Sequence, residues 1–444
     1  MPLMTGAEAA VAALRTHDVS HVFGIPGVHT LALYDAFRAE PAIRHVLARH
    51  EQGAGFMAEG YARVTGKPGV ACVITGPGVT NVATPMASAY ADSVPLLVIA
   101  SSLPRSTRLR PSGDLHELRD QLGVMQSLAG WTRAVNSVEE IPEAIADALR
   151  AMSRGRPRGA YLEIPLDLFA ARARITIAEL AVSAPARPDP AKITAIAELL
   201  SQAERPLIVA GSGVTAAGAN RELARLAEKL GAPVLLGGKS RDALPSEFTL
   251  GLAVSGYGLP EEVMAFVARH DVVLVVGSKL GDQRTDQGRL PLPRTLLQID
   301  IDPAELGLRY PATIGLEADA GTAIKGLLAA LPEPRPDRPD RSAEVEDARA
   351  AIAAAAWSGY GADFELLQAV RAAVPADGIL VADMTAMGYL AADVWPVHAP
   401  RTFIHSSELC TIGCALPQAL GAKVGAPDRS VVALCGDGGF LLNP

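Results

Sequence analysis

Three glycine-rich stretches carry side chains that could do chemistry. The first is Arg49-His-Glu-Gln-Gly-Ala-Gly-Phe-Met-Ala-Glu-Gly-Tyr-Ala-Arg63. With a helix starting at about Glu51, residues 51, 55, 58 and 62 share one face, so Glu51 stands beside Gly55, Ala58 and Ala62. Small neighbours let another backbone or a flat ligand approach, and a carboxyl desolvated there suits proton exchange with a weakly basic ring nitrogen. The structural alternative is an acid in a first helical turn, favoured by the helix dipole. The second stretch, Val73-Ile-Thr-Gly-Pro-Gly-Val-Thr-Asn81, follows an apolar run and opens a helix, where free N–H groups can hold a polar ligand edge. No Gly-Lys-Ser/Thr follows, so it is not a nucleotide phosphate loop of that type. The third is Val431-Val-Ala-Leu-Cys-Gly-Asp-Gly-Gly-Phe440. An aspartate between glycines at a strand end can ligate Mg²⁺ while bare backbone approaches a diphosphate, or it can simply cap the next helix.

Positioning these groups is the work of an α/β framework. Apolar runs at Val70–Thr75, Pro95–Ala100, Pro206–Ala210, Val272–Val276, Leu296–Asp300, Ile379–Asp383 and Val431–Cys435 alternate with segments of helical period. Parallel sheets covered on both faces by helices follow, with ligand-facing loops at the strand ends. Two proline-rich stretches, residues 183–190 and 331–340, read as linkers. The expected fold is three doubly wound parallel-sheet domains: residues 1–182, 191–330 and 342–444, the last the shortest and, by the resemblance given below, incomplete. A weak repeat relates the outer two, each running helix, turn, strand and Gly-x-Gly loop (Gly76-Pro-Gly78; Gly436-Asp-Gly438). The Gly211-Ser-Gly-Val-Thr-Ala-Ala-Gly218 loop spaces its third glycine too late for a dinucleotide fingerprint and is read as a structural turn.

Composition narrows the partners. The 444 residues carry 40 basic and 48 acidic side chains, a net charge of −8, which disfavours nucleic acid and anionic membranes and favours a small-molecule substrate. Residues 1–17 read as an alanine-rich amphipathic helix without the basic and apolar regions of a signal peptide, which makes a cytoplasmic location the expectation. Cys72, Cys410, Cys414 and Cys435 form no CxxC pair and are expected to be free thiols.

Taken together, Arg49-His-Glu-Gln-Gly-Ala, Gly60-Tyr-Ala-Arg63, Thr75-Gly-Pro-Gly-Val-Thr-Asn81, Ala89-Tyr-Ala-Asp-Ser-Val-Pro95, Ile299-Asp-Ile-Asp-Pro303 and Gly436-Asp-Gly438 resemble the thiamine-diphosphate-dependent 2-oxo acid decarboxylase and acetolactate synthase superfamily, in order and along the whole chain. The resemblance implies a pyrimidine-binding domain, a middle Rossmann-like domain and a diphosphate-binding domain. It implies that Glu51 hydrogen-bonds the aminopyrimidine ring as the catalytic acid. Ile412 is the wedge that bends the cofactor, the Cys410 carbonyl accepts from its amino group, and Asp437 ligates Mg²⁺. Gly76, Asn81, Gly436, Gly438 and Gly439 complete the cofactor-binding set. The implied reaction decarboxylates a 2-oxo acid, and the product leaves as an aldehyde or is captured by a second carbonyl compound, as in acetolactate synthase. Because the family shares its site between subunits, a homodimer or homotetramer is implied, and the small-residue face of the Glu51 helix is read as fitting that contact.

Within the superfamily the likeness is nearest to the branch containing 5-guanidino-2-oxopentanoate decarboxylase, on Phe23-Gly-Ile-Pro-Gly-Val-His29, Leu115-His-Glu-Leu118 and Val381-Ala-Asp-Met-Thr385. Val28, His29, His116 and Glu117 are the substrate-facing candidates, each also readable as a loop residue. Lys279-Leu-Gly-Asp-Gln283 lacks the flavin-contacting pattern of acetolactate synthase, which disfavours FAD or ADP in the middle domain. One departure stands out: the family's metal motif runs on to an Asn a couple of dozen residues after Gly-Asp-Gly, whereas this sequence reaches Asn443-Pro444 first. The expectations are a fragment of a longer polypeptide, completion by a second chain, or a non-catalytic scaffold or partner subunit.

Overall fold

The computed structural model describes every residue except 109, 178–186, 255–257, 334–337 and 444. Much of both expected linkers, and the boundary placed at residue 182, therefore lies outside the described residues. Three parallel sheets and a short antiparallel pair organise the rest, as the alternating pattern requires. The chain divides into two compact units, Met1–Ser183 with Glu408–Asp428 and Cys435–Pro444, and Ala184–Ser407 with Arg429–Leu434.

In the first unit a six-stranded parallel sheet runs in the order Arg44–Leu47, His21–Gly24, Gly69–Val73, Leu96–Ser102, Ala160–Pro165, Trp131–Ala134. Every residue of Gly69–Val73 and Leu96–Ser102 is buried, which is why both read as unbroken small and apolar runs rather than alternating ones. The helix Glu51–Thr65 begins where the His50 ring accepts the Gln52 N–H, and ends at Gly66, whose φ of 71° suits a residue without Cβ. It packs against Ala415–Gly425, its counterpart in the sequence repeat. The approach is backbone to backbone: a Cβ on Gly60 would lie 2.0 Å from the Gln418 carbonyl oxygen, and one on Gly421 would lie 1.8 Å from that of Met57.

The opposite face of the helix, which carries Glu51, corrects one expectation. The small face of the Glu51 helix is filled within the chain, since a Cβ at Gly55 would lie 2.6 Å from Pro85 and the Ala58 carbonyl abuts Gly69. The periodicity showed that something approaches this face but not what. The N-terminus differs as well. Leu3–Thr5 is a strand paired antiparallel with Arg172–Arg174, and the helix is Gly6–Thr16, started by reciprocal Thr5 and Glu8 capping bonds.

In the second unit a six-stranded parallel sheet has the order Gly251–Ala253, Val234–Leu236, Pro206–Ala210, Val272–Val276, Thr295–Asp300, Ile314–Glu317. A three-stranded parallel sheet places Ile379–Ala382 between Phe403–His405 and Val431–Leu434. The Gly211 loop turns its bare backbone onto its own neighbour, Gly277, whose carbonyl accepts the Gly213 N–H at 3.2 Å. All four cysteines are free thiols, and burial pushes that of Cys72 up to about 12. Among the described residues no helix is long and apolar enough to cross a membrane.

Candidate cofactor and active site

Every residue singled out for catalysis or cofactor binding lies in the first unit, in two groups. The first is built on Glu51, half-buried at the start of its helix. Its Oε2 accepts a 2.9 Å hydrogen bond from Asn81 Nδ2. Asn81 ends the short helix Pro77–Asn81, which starts at Gly76. Gly76 has φ 70° and ψ −104°, a conformation closed to residues with side chains, and its carbonyl accepts the N–H groups of Val79 and Thr80 at 3.0 and 3.1 Å. A Cβ on Gly78 would sit 3.5 Å from Glu51 Oε1, so bare backbone lies over the second carboxylate oxygen. The two motifs read separately in the sequence thus form one acid–amide pair.

The substrate-side candidates gather beside the same turn in part. The His29 and His116 rings stand edge to face with centroids 5.3 Å apart, and the His116 carbonyl is the group a side chain at Gly76 would strike. Burial, and then the facing His116, hold the His29 imidazole below its ordinary value against the opposing pull of Asp114. Val28 is exposed. Glu117 shapes its own loop, its Oε2 accepting the Ser112 and Asp114 N–H groups at 3.0 and 3.1 Å.

The second group joins the loop 410–413 to Cys435–Asn443. Asn443 Nδ2 donates to the Gly413 carbonyl at 2.8 Å, and a Cβ on Gly413 would meet Leu442 and the Gly439 carbonyl. Asp437 is exposed at the first turn of Asp437–Leu442, Gly436 precedes it in extended conformation, and a side chain at Gly438 would meet open space. Cys410 holds a left-handed φ of 54°, a strained choice for a residue with a side chain. Ile412 leaves its aliphatic side chain half in solvent. Among the described residues no hydrogen bond or ion pair joins Glu51 to Asp437.

Two features escaped sequence reasoning. Arg63 Nη2 bridges the buried carboxylates of Glu59, at 2.5 Å, and Asp92, at 2.6 Å, and Asp92 in turn accepts the Glu408 N–H at 3.3 Å. Arg63 and Asp92 each stand in a quoted motif, but their pairing is visible only once the chain folds. The second is Gln121, whose side chain reaches Gly76 and which no motif marks.

The family profile "Thiamine pyrophosphate enzyme, N-terminal TPP binding domain" matches residues 4–124, its central domain 193–327 and its C-terminal TPP binding domain 383–444. The chain belongs to the thiamine pyrophosphate enzyme family. It is 41% identical to a probable 2-ketoarginine decarboxylase of Pseudomonas aeruginosa, covering 99% of this chain and 78% of that protein. It is 32% identical to the large subunit of acetolactate synthase isozyme 1 of Escherichia coli, covering 99% and 78%, and to a probable acetolactate synthase large subunit of Methanocaldococcus jannaschii, covering 99% and 77%.

The residues present fit the thiamine pyrophosphate that gives the family its name. A carboxylate fixed through one oxygen, with Gly78 close to the other, suits a planar nitrogen heterocycle. Gly438, next to Asp437, presents no side chain to a bulky anion. No group of three or more His, Cys, Asp or Glu side chains able to hold a metal occurs among the described residues. A cation at Asp437 would need further oxygen ligands besides this one carboxylate, in keeping with the oxygen-rich shell that Mg²⁺ takes.

Proposed function

We propose that this protein uses thiamine diphosphate and Mg²⁺ to decarboxylate a 2-oxo acid. The observation that carries the reading is the Glu51–Asn81 pair beneath the Gly76-Pro-Gly78 turn. When bound, thiamine diphosphate supplies the electron sink for the carbon that loses CO₂. Glu51 exchanges a proton with the pyrimidine ring, and Asn81 holds the carboxylate in place for it. Asp437 ligates Mg²⁺, with Gly436, Gly438 and Gly439 leaving backbone free for the diphosphate. Ile412 would offer its apolar side chain to the bound cofactor, and the Cys410 carbonyl would accept from its amino group. His29 and His116 face the substrate beside Gly76, with Val28 and Glu117 in the same loops.

The similarity to the 2-ketoarginine decarboxylase supports decarboxylation with aldehyde release over acetolactate-type ligation, and a 2-oxo acid bearing a guanidinium chain as substrate. The three family profiles support a partition into residues 1–182, 191–330 and 342–444. A homodimer or homotetramer remains the family-based expectation for its assembly. A cytoplasmic location agrees with free thiols. The test is CO₂ release from a panel of 2-oxo acids with cofactor and Mg²⁺ added. The reading expects turnover with a clear preference for the guanidinium-bearing acid. Silence across the panel, with no cofactor binding by calorimetry, contradicts it and favours a scaffold role.

A further inference from the structure

Gln121 is buried at the start of the helix Gln121–Gln126, and both ends of its amide are hydrogen-bonded. Nε2 donates to the Ser101 carbonyl at 2.9 Å and to the Tyr161 hydroxyl at 3.0 Å, while Oε1 accepts the Gly76 N–H at 2.8 Å. The orientation of this amide is determined, because a backbone N–H can only donate and a backbone carbonyl can only accept. Tyr161 is held in its turn by the buried Glu163, to which its hydroxyl donates at 3.2 Å. The strand that precedes Gly76 ends at Val73, so the Gly76 N–H has no ladder partner and Gln121 supplies it. Gly76 is also the residue whose carbonyl starts the short helix ending at Asn81, and Asn81 holds Glu51. Fixed hydrogen bonds therefore run from the Ala160–Pro165 strand through Gln121 and Gly76 to the helix that carries the partner of the catalytic carboxylate.

We infer that Gln121 is a positioning residue: by holding the Gly76 turn it sets the place of Asn81 and, through it, the Glu51 carboxylate. The inference rests on the proposed role of Glu51. Its effect belongs in turnover rather than in cofactor retention, because Gln121 touches the turn and not the Asp437 group.

The test compares Gln121→Met, of similar length without the hydrogen bonds, with Gln121→Glu, which keeps an acceptor for the Gly76 N–H. In protein without cofactor, hydrogen–deuterium exchange of residues 76–82 should quicken about tenfold or more in Gln121→Met, while the strand 206–210 exchanges as in the parent. With cofactor and Mg²⁺, kcat should fall roughly ten- to hundredfold in Gln121→Met with KM and cofactor affinity within about threefold, and Gln121→Glu, which keeps the acceptor for Gly76 but loses the donors to Ser101 and Tyr161, should recover only part of the loss. Unchanged exchange at 76–82 in Gln121→Met, or kcat and cofactor affinity lost in equal measure, overturns the inference. If the parent protein decarboxylates no 2-oxo acid, the proposed function falls by itself, and the exchange comparison still decides whether Gln121 holds the turn.

Discussion

The two Gly-x-Gly loops of the sequence repeat follow similar helices and strands yet differ in how the described residues hold them. At Gly76-Pro-Gly78 every element is tied down: the Gly76 N–H goes to Gln121, its carbonyl to the next turn, and Asn81 to Glu51. At Gly436-Asp-Gly438 the carboxylate stands exposed, and its neighbour Gly438 borders open space. The tied loop shows where preorganisation is needed. A proton transfer demands an acid held within a narrow geometry, which rigid hydrogen bonds supply before any ligand arrives. A hydrated cation and a diphosphate bring oxygen ligands of their own, and Asp437 has to be reachable to join them.

Breaking the open loop should have the larger effect on binding. Asp437→Ala is expected to weaken Mg²⁺-dependent cofactor binding at least a hundredfold by calorimetry, with the melting temperature of the cofactor-free protein unchanged. Breaking the tied loop should act on rate instead. Asn81→Ala removes one hydrogen bond to a charged group, of about 1.5–3 kcal/mol, and is expected to lower kcat roughly ten- to hundredfold in steady-state assays. Cofactor affinity should change much less.

The helices that carry the two loops offer a smaller, pH-dependent test. Burial pushes the Glu59 carboxyl above its ordinary 4.5, overriding the opposing pull of Arg63. The folded state therefore keeps a proton where the unfolded chain has lost it. Stability from this group is fully present below about pH 4.5 and is lost as pH rises through the folded value. The melting temperature of the parent relative to Glu59→Gln should accordingly fall between pH 4.5 and 8. Parallel curves would show that Glu59 keeps its usual titration.

Much of the framework was legible in the sequence because a strand buried on both faces must be apolar at every position. Pro206–Ala210 and Val272–Val276 fall where the apolar runs end, while Gly69–Val73 starts one residue ahead of its run and stops two short of Thr75. Glycine turns were legible for a similar reason, since few residues accept the backbone that Gly76 adopts. Long-range partnerships were not. Nothing local in Gln121 announces a bond to Gly76, 45 positions away, nor in Arg63 a bridge to Asp92. The small residues of the Glu51 helix showed a close approach but not its occupant, and the chain's own Pro85 and Gly69 provide it.

The central claim is that Glu51 acts on the bound cofactor as an acid and not as an anchor. Glu51→Gln keeps the shape of the side chain and removes the charge. The account predicts turnover lowered roughly 10²- to 10⁴-fold, with the dissociation constant for thiamine diphosphate within about threefold of the parent. An unchanged rate, or binding lost in step with turnover, would contradict it.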